Sequence, residues 1–470
     1  MKLRATTGWA VAGSALLLGT CGFAPNSAQR VNTDFILTAA PSYEPLAALR
    51  GQERFPKGAQ LLRVHDGNAE PLVTGFAASA DANVSFDGKS VLFTGKKSAS
   101  DPWQIFELNL ADRSVRQLTN GTADAIRPLY LPAWRFVYAA RVGKVFQLRS
   151  ARIDDSPAYA ELEPAESAAI LQLTHMNANA IPSDVLADGR ILFEADFPLG
   201  SGTTPELFLV YSDGSGVESY RCDHGKARWG GKQLASGDVA FTHGSSLARF
   251  TSPLAHEEAV VAPRAEYDGA IAEAESDAWL VSARPAVVAH FAIRSWKPGA
   301  ATLETVLDEK GMDLVEPVLV APRTRPHRHP SALHPWDYSN LLALDARLSR
   351  DGNLKGTPAS VRLETQDADG HATQLGTAPV EKDGSFFVEA PGDKPIRFAL
   401  LDGKGTVLRQ EHGWFWTRGG EQRICVGCHT GPERAAENRV PAVLLRTTTP
   451  VDRTGARLTK AATPAAAGGR

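Results

Sequence analysis

The sequence predicts a mainly β protein, a six-bladed β-propeller followed by a small β-sandwich. Three observations predict it. A unit of four short strands joined by tight turns recurs about every 40 residues. With Gly 41 and Pro 30, the chain is rich in turn formers. A second run of strands separated by Asp-Gly pairs follows a Pro-broken basic stretch.

The propeller is expected over 58–322. Its pattern is clearest from Ala82 to Thr94, where the turn Asp87-Gly88 leads into the apolar strand VLFTG. IFELNL (Ile105 to Leu110), a turn at Asp112-Arg113 and VRQLT (Val115 to Thr119) complete that unit. The pattern returns with FVYAA and VFQLRSA, with Asp188-Gly189-Arg190-Ile191-Leu192-Phe193, with Gly237-Asp238-Val239, and with Ala278-Trp279-Leu280. A sixth unit is split between the ends, VEPVLVAP (Val315 to Pro322) supplying its inner strand and residues 61–75 its outer strands. Four-stranded sheets repeated radially and closed by strands from both ends form a propeller, which leaves its edges protected. The degenerate copies also allow five or seven blades.

Residues 323–339, containing Arg323-Thr-Arg-Pro-His-Arg-His-Pro330, form a linker. Over 340–412, LLALDARL, SVRLET, GSFFVEA, IRFALLD and TVLRQE alternate with the turns Asp351-Gly352, Asp369-Gly370, Asp383-Gly384 and Asp402-Gly403. Such a series is a small antiparallel sandwich. A segment over 413–445 and a tail over 446–470, too poor in apolar residues to fold, end the chain.

At 470 residues, two or three domains are expected. The formal charge of -3 implies no dominant basic surface and argues against a nucleic-acid partner. At the N-terminus, Lys2 and Arg4 precede a small and apolar run from Trp9 to Gly19, the pattern of a secretory signal peptide over 1–28. That run is too short for a permanent span. Leu18-Gly19-Thr20-Cys21 approximates the motif before a lipidated cysteine, so cleavage before Cys21 and ordinary cleavage near Ala28 both stay open. The expected location is periplasmic or extracytoplasmic, with membrane attachment only through an N-terminal lipid anchor.

Four cysteines are present: Cys21, Cys222, Cys425 and Cys428. So few argue against a disulfide-stapled exported protein, and Cys222 reads as a buried small residue. The other two lie in Cys425-Val426-Gly427-Cys428-His429. In CxxCH two thiols add to haem vinyl groups and the next histidine ligates iron from one face. Cys425 and Cys428 are thus expected to hold one covalent haem c, with His429 as its proximal ligand. A zinc site would need about four ligands, and a redox dithiol would sit in a βαβ unit. Neither context is present in the sequence.

The only methionines are Met1, Met176 and Met312, none after the motif, so histidine is the usual remaining choice opposite His429. His412 is the nearest candidate, and His327, His329 and His334 cluster in the linker. An open or water-bound position is the alternative. Trp414 and Trp416 (with Phe415 between them) are expected to line the haem crevice, and Arg418 and Arg423 to pair with its propionates. His243 and Ser245 lie in a THGSS loop without a partner acid, and the Asp-Gly pairs read as turns, calcium binding being a minor alternative.

The Asp-Gly strand units resemble TolB-like propellers. The run from Asp383 to Pro441, including Gly420-Glu421-Gln422-Arg423 before the thiol motif and Glu437-Asn438-Arg439-Val440-Pro441 after it, resembles the hydrazine synthase alpha subunit family. The resemblance extends over roughly 60–445 and implies a TolB-like propeller followed by a C-terminal c-type haem domain. It implies that Cys425, Cys428 and His429 hold an electron-transfer haem. The family's alpha subunit carries a further, catalytic haem on a second CxxCH. This chain has one such motif, its stretch from Val31 to Lys57 is too short for a haem domain, and no histidine follows His429. Hydrazine synthesis is therefore not expected to carry over.

The expected function is an exported monohaem c-type cytochrome in electron transfer, its propeller a docking platform for a redox partner protein. Two alternatives stand beside it. One is a haem enzyme acting on peroxide or a nitrogen oxide at an open iron position. The other is a propeller binding protein with an ancillary haem.

Overall fold

The computed structural model describes residues 33–154, 169–199, 202–221, 223–274, 277–285, 289–349, 352, 354–428 and 437–453. The signal segment, Cys222 and His429 lie outside them. Six four-stranded antiparallel sheets form the propeller, each running outward from its inner strand. The inner strands are Asp313–Leu319, Ala78–Val84, Ala125–Leu131, Ala180–Val185, Arg228–Gln233 and Glu266–Glu273, taken as blades 1 to 6. Val91, Leu92 and Phe93 of blade 2, like Ile191, Leu192 and Phe193 of blade 4, are fully buried. Neighbouring blades cover both faces of these second strands, so they read as continuous apolar runs rather than alternating ones.

Blade 1 closes the ring. Phe35–Ala40 pairs with Asp313–Leu319 on one side and with Gln60–His65 on the other. The propeller thus takes in a strand upstream of the 58–322 span expected from the repeats. The signal was the apolar run FILTAA, all of it buried, which has no Asp-Gly turn before it to mark it as a repeat.

The chain between Ala40 and Gln60 crosses one mouth of the propeller. Its residues Tyr43, Ala48, Leu49 and Phe55 share an apolar cluster with residues from several blades, among them Ile126, Ile181 and Phe291. Polar ties fasten the same segment. Tyr43 N–H donates to Asp313 (3.1 Å), Trp103 Nε1–H to Glu53 (2.9 Å), and Asn179 Nδ2–H to the Leu49 carbonyl (2.9 Å). Arg54 reaches down to Asp81 and to Glu316 (2.6 Å), where Arg127 also approaches Glu316 (3.4 Å). Asp81, Arg127 and Glu316 each sit at a bulge of an inner strand with φ of 59°, 55° and 58°. Bulges of this kind re-aim side chains, and here they place three charges from three blades around one guanidinium.

The linker runs over the propeller to the second domain. His327 N–H donates to the Ala187 carbonyl (2.9 Å), the His329 ring stacks on Tyr211 (3.9 Å), and Ser331 Oγ–H donates to Asp213 (2.7 Å). The sandwich begins at Tyr338. One sheet orders Gln422–Cys425, Tyr338–Ala343, Phe386–Pro391 and Val451–Asp452. The other orders Ala372–Pro379, Ser360–Gln366, Ile396–Leu401 and Val407–Gln410. Leu341, Leu363, Phe386, Val388, Phe398 and Leu400 fill the space between them.

The domain also departs from expectation. The strand bearing the thiol motif and a strand from the tail both join the first sheet, in parallel. The expected tail over 446–470 is therefore structured as far as Asp452, and 454–470 lies outside the described residues. A short helix at Ala442–Arg446 precedes the tail strand. Among the described residues no helix is long and apolar enough to cross a membrane.

Candidate functional site

The thiol motif starts on an edge strand. Gln422, Arg423, Ile424 and Cys425 pair in parallel with Asn340, Leu341, Leu342 and Ala343. The ladder continues past the strand as Leu344 N–H donates to the Cys425 carbonyl (2.9 Å) and Asp345 N–H to that of Val426 (3.2 Å). Asp345 in turn holds Arg347 through two bonds of 2.8 and 2.7 Å. Backbone pairing therefore fixes the start of the motif, and Cys428 turns inward against the sandwich core.

Both thiols are free. Cys428 lines a cleft of about 270 Å³ with Phe398, Leu400, Arg409, Gln410, Glu411 and His412. Burial pushes the Cys428 thiol far up, and the Glu411 carboxylate adds to it. Burial also raises Cys425, against the pull of Arg423. Each cysteine is half-buried, and its sulfur lies among protein atoms that penalise the thiolate. A redox dithiol needs the reverse, a thiolate stabilised near neutral pH.

The residues fit a covalently attached haem in the chemistry of their donor set. Two unpaired thiols stand on one turn, an exposed histidine, His412, lines the cleft beside one of them, and the side chain before Cys425, Ile424, is apolar and 64% exposed.

The four residues expected to surround the haem divide between two places. Phe415 bridges Ile396 and packs against the sandwich core. Extended chain alternates its side chains, so Trp414 and Trp416 face the other way, into the propeller. Trp416 is fully buried in the apolar cluster around Phe193, Phe197 and Phe208, and its Nε1–H donates to the Gly214 carbonyl (3.3 Å). Trp414 packs on the rim of that cluster beneath the Arg397 guanidinium (4.4 Å).

Arg418 follows the tryptophans. It donates to the Gln172 carbonyl of blade 3 (2.6 Å) and pairs with Asp393 (2.9 Å). Trp414, Trp416 and Arg418 therefore build the joint between the domains. Arg423 alone acts on the Cys425 thiol, while also donating to the Val217 carbonyl and lying over Phe415 (5.7 Å).

The histidine candidates separate in the same way. His412 shares the Cys428 cleft. His334 lies near the start of the thiol-bearing strand, its N–H donating to the Gly420 carbonyl (3.3 Å) and its ring stacked on Trp336 (4.4 Å). From Gly420 to Cys425, at the strand's other end, runs about 15 Å of extended chain. His327 and His329 lie on blade 4 turns. His243 pairs with Glu257 at the end of a blade 5 strand, and Ser245 is exposed in the turn after it.

The sequence did not single out the acids that brace the site. Asp383 accepts from Ser385 Oγ (2.6 Å), from Ala442 N–H (2.8 Å) and from Arg439. Burial opposes its charge, yet these donors hold its carboxylate well below the ordinary range. Asp383 thereby ties the segment after the motif, through Arg439 and the short helix, to the end of the sheet that carries Cys425. The Asp383-Gly384 pair was legible only as a turn.

The family model of the hydrazine synthase alpha subunit middle domain matches residues 346–430, which contain the thiol motif. A chain of Kuenenia stuttgartiensis hydrazine synthase has the same fold over 89% of this chain and 72% of that one, with a TM-score of 0.77 at 16% identity. TolB from Acinetobacter baumannii is matched over 62% of this chain and 67% of that one, at 11% identity and a TM-score of 0.45. The propeller domain of the Pyrococcus furiosus trilobed protease is matched over 54% and 88%, at 10% identity and a TM-score of 0.34. Comparison with curated protein sequences found no match. In fold along most of its length, and in sequence across 346–430, the chain resembles the hydrazine synthase alpha subunit.

Proposed function

We propose that the protein is an exported monohaem c-type cytochrome that passes single electrons to or from a partner redox protein, with its propeller as the docking platform. The observation that carries this reading is the placement of two free, desolvated thiols, Cys425 at the end of an edge strand and Cys428 in the turn after it, lining the cleft that His412 shares. Cys425, Cys428 and His429 would hold the haem, which when bound supplies one-electron exchange. The parallel pairing of Gln422–Cys425 holds the first thiol, and the packing of Cys428 against the sandwich holds the second. Phe398 and Leu400 exclude water from the cleft floor, and Glu411 and Arg409 set the charge at its rim.

The likeness to hydrazine synthase supports a haem-related role. A docking role for the propeller fits a ring whose mouth is covered by its own chain, leaving outer faces rather than a channel for a partner. Reduced and oxidised absorption spectra with a CO titration test the reading. A covalent, low-spin haem indifferent to CO is expected. Ready CO binding by the ferrous protein would instead favour the haem enzyme, and partner affinity that survives haem loss would favour the ancillary-haem reading.

A further inference from the structure

The segment that crosses the propeller mouth encloses a cavity of about 470 Å³ with blades 2 and 3. Four consecutive residues of that segment, Gln52 to Phe55, form one side of it. Its volume is that of an ordinary small-molecule site, and no residue of the thiol motif lines it.

The lining is of two kinds. Phe55, Trp103, Ile126 and Phe146 are buried apolar side chains. With them stand three cations, Arg54, Lys96 and Arg141, and three carboxylates, Glu53, Asp81 and Asp124. Each cation lies over a lining ring, Arg54 over Phe55 (4.9 Å), Lys96 over Trp103 (4.8 Å) and Arg141 over Phe146 (4.3 Å), which fixes its position. Arg54 and Asp81, 4% and 5% exposed, pair with each other, and Glu316 and Arg127 behind them add one charge of each sign.

The more exposed pairs keep capacity for a ligand. Lys96 Nζ donates to Glu53 Oε1 (3.0 Å), which also accepts from Trp103 Nε1–H (2.9 Å). Arg141 donates to Asp124 (3.3 Å) and to the Gly51 carbonyl (3.1 Å), and the other oxygen of Asp124 accepts from Trp103 N–H (3.1 Å). These bonds leave most donors of Lys96 and Arg141 unspent. Among the described residues, they also leave Glu53 Oε2 without a hydrogen bond.

We propose that this cavity binds a free α-amino acid with an apolar side chain. Lys96 and Arg141 take its carboxylate, Glu53 takes its ammonium, and Phe55, Ile126 and Phe146 surround its side chain. The charges of the lining cancel, so a ligand with net charge of either sign would be drawn out of water without full compensation. A zwitterion brings no net charge and offers a partner to both signs. A hydrocarbon would strip water from two ion pairs and replace none of its hydrogen bonds. The inference goes beyond the haem reading and is independent of it.

Calorimetric titration of the full chain with leucine, methionine and phenylalanine tests it, beside the des-amino and decarboxylated counterparts of each. At least one amino acid should bind, raise Tm and slow amide exchange over 41–59, the segment that forms one side of the cavity. Its two counterparts should each bind about tenfold or more weakly, since each lacks one charged partner. Glu53→Gln, which removes the charge but keeps an acceptor for Trp103, should weaken the amino acid about tenfold or more, and Arg141→Gln should do the same. No binding of any of the three up to about 10 mM would overturn the proposal. So would counterparts that bind as well as the amino acid, or unchanged affinity in both variants.

Discussion

The indole N–H of Trp416, a residue of the second domain, donates to the Gly214 carbonyl of propeller blade 4. The bond marks a joint in which one domain inserts its largest side chain into the other's core. Gly214 has φ of 85°, and a Cβ there would meet the Arg418 guanidinium at 2.8 Å, so this turn needs glycine both for its backbone and for the neighbour it admits.

Trp416→Ala should therefore destabilise the joint by about 3–5 kcal/mol, the cost of a large aromatic cavity. Calorimetry should show the sandwich and propeller losing their common transition. The haem spectrum should stay unchanged, whereas a crevice-lining role for Trp416 would alter it.

Arg54→Met should strongly destabilise the propeller, because it leaves Asp81 and Glu316 without their shared guanidinium in the interior. Breaking a buried ion pair from one side costs about 3–5 kcal/mol. Urea titration should give a lower midpoint, and amide exchange should be fastest in the segment between Ala40 and Gln60. An unchanged midpoint would mean that the apolar contacts of Tyr43 and Phe55 alone keep the mouth covered.

Burial, reinforced by the Glu316 carboxylate, lifts Asp268 to about 7. The folded protein thus holds a proton there that the unfolded chain, with an aspartate near its usual 3.8, has already released. Stability from this group is complete below the unfolded value and is lost as pH rises through about 7. In Asp268→Asn the fall in stability between pH about 4 and about 7 should flatten, as read from denaturation midpoints across that range.

Cys425→Ala with Cys428→Ala should abolish covalent haem, measured by haem stain after denaturing electrophoresis, and leave the propeller's thermal transition in place. His412→Ala tests the residue beside Cys428. If His412 faces the iron opposite His429, the variant should bind CO where the parent does not. A variant that retains the parent's low-spin spectrum would remove His412 from that role.

Asp383→Ala removes the acceptor shared by Ser385, Ala442 and Arg439. Faster amide exchange is expected over Ala442–Arg446 and Val451–Asp452, with little change in the propeller. Haem retention in this variant would separate the bracing of the segment after the motif from attachment itself.

Much of the architecture was legible because its causes are local. The Asp87-Gly88 and Asp188-Gly189 turns need a left-handed residue, and the apolar runs after them need burial on both faces, so the blades announce themselves within a few residues. The spacing of Cys425 and Cys428 was equally local, a property of one stretch of backbone, and the haem reading built on it belongs to the proposed function. The placement of Trp414, Trp416 and Arg418 was not. Nearness to the thiols in sequence suggested a shared crevice, but strand alternation divides Phe415 from its two neighbours, and only the packed domains decide which core each face meets.

The sequence by itself determined a repeated β architecture, a second β domain behind a proline-broken linker, and a CxxCH motif. Those follow from turn chemistry, periodicity and spacing, which act over a handful of residues. The tertiary structure alone decided that Phe35–Ala40 completes blade 1 beside Asp313–Leu319, a strand about 280 residues later. It also decided that Arg54 ties the inner-strand bulges of Asp81 and Glu316 together. Ring closure pairs segments by geometry rather than by any local preference, and a side chain's role is set by what the closed ring places against it.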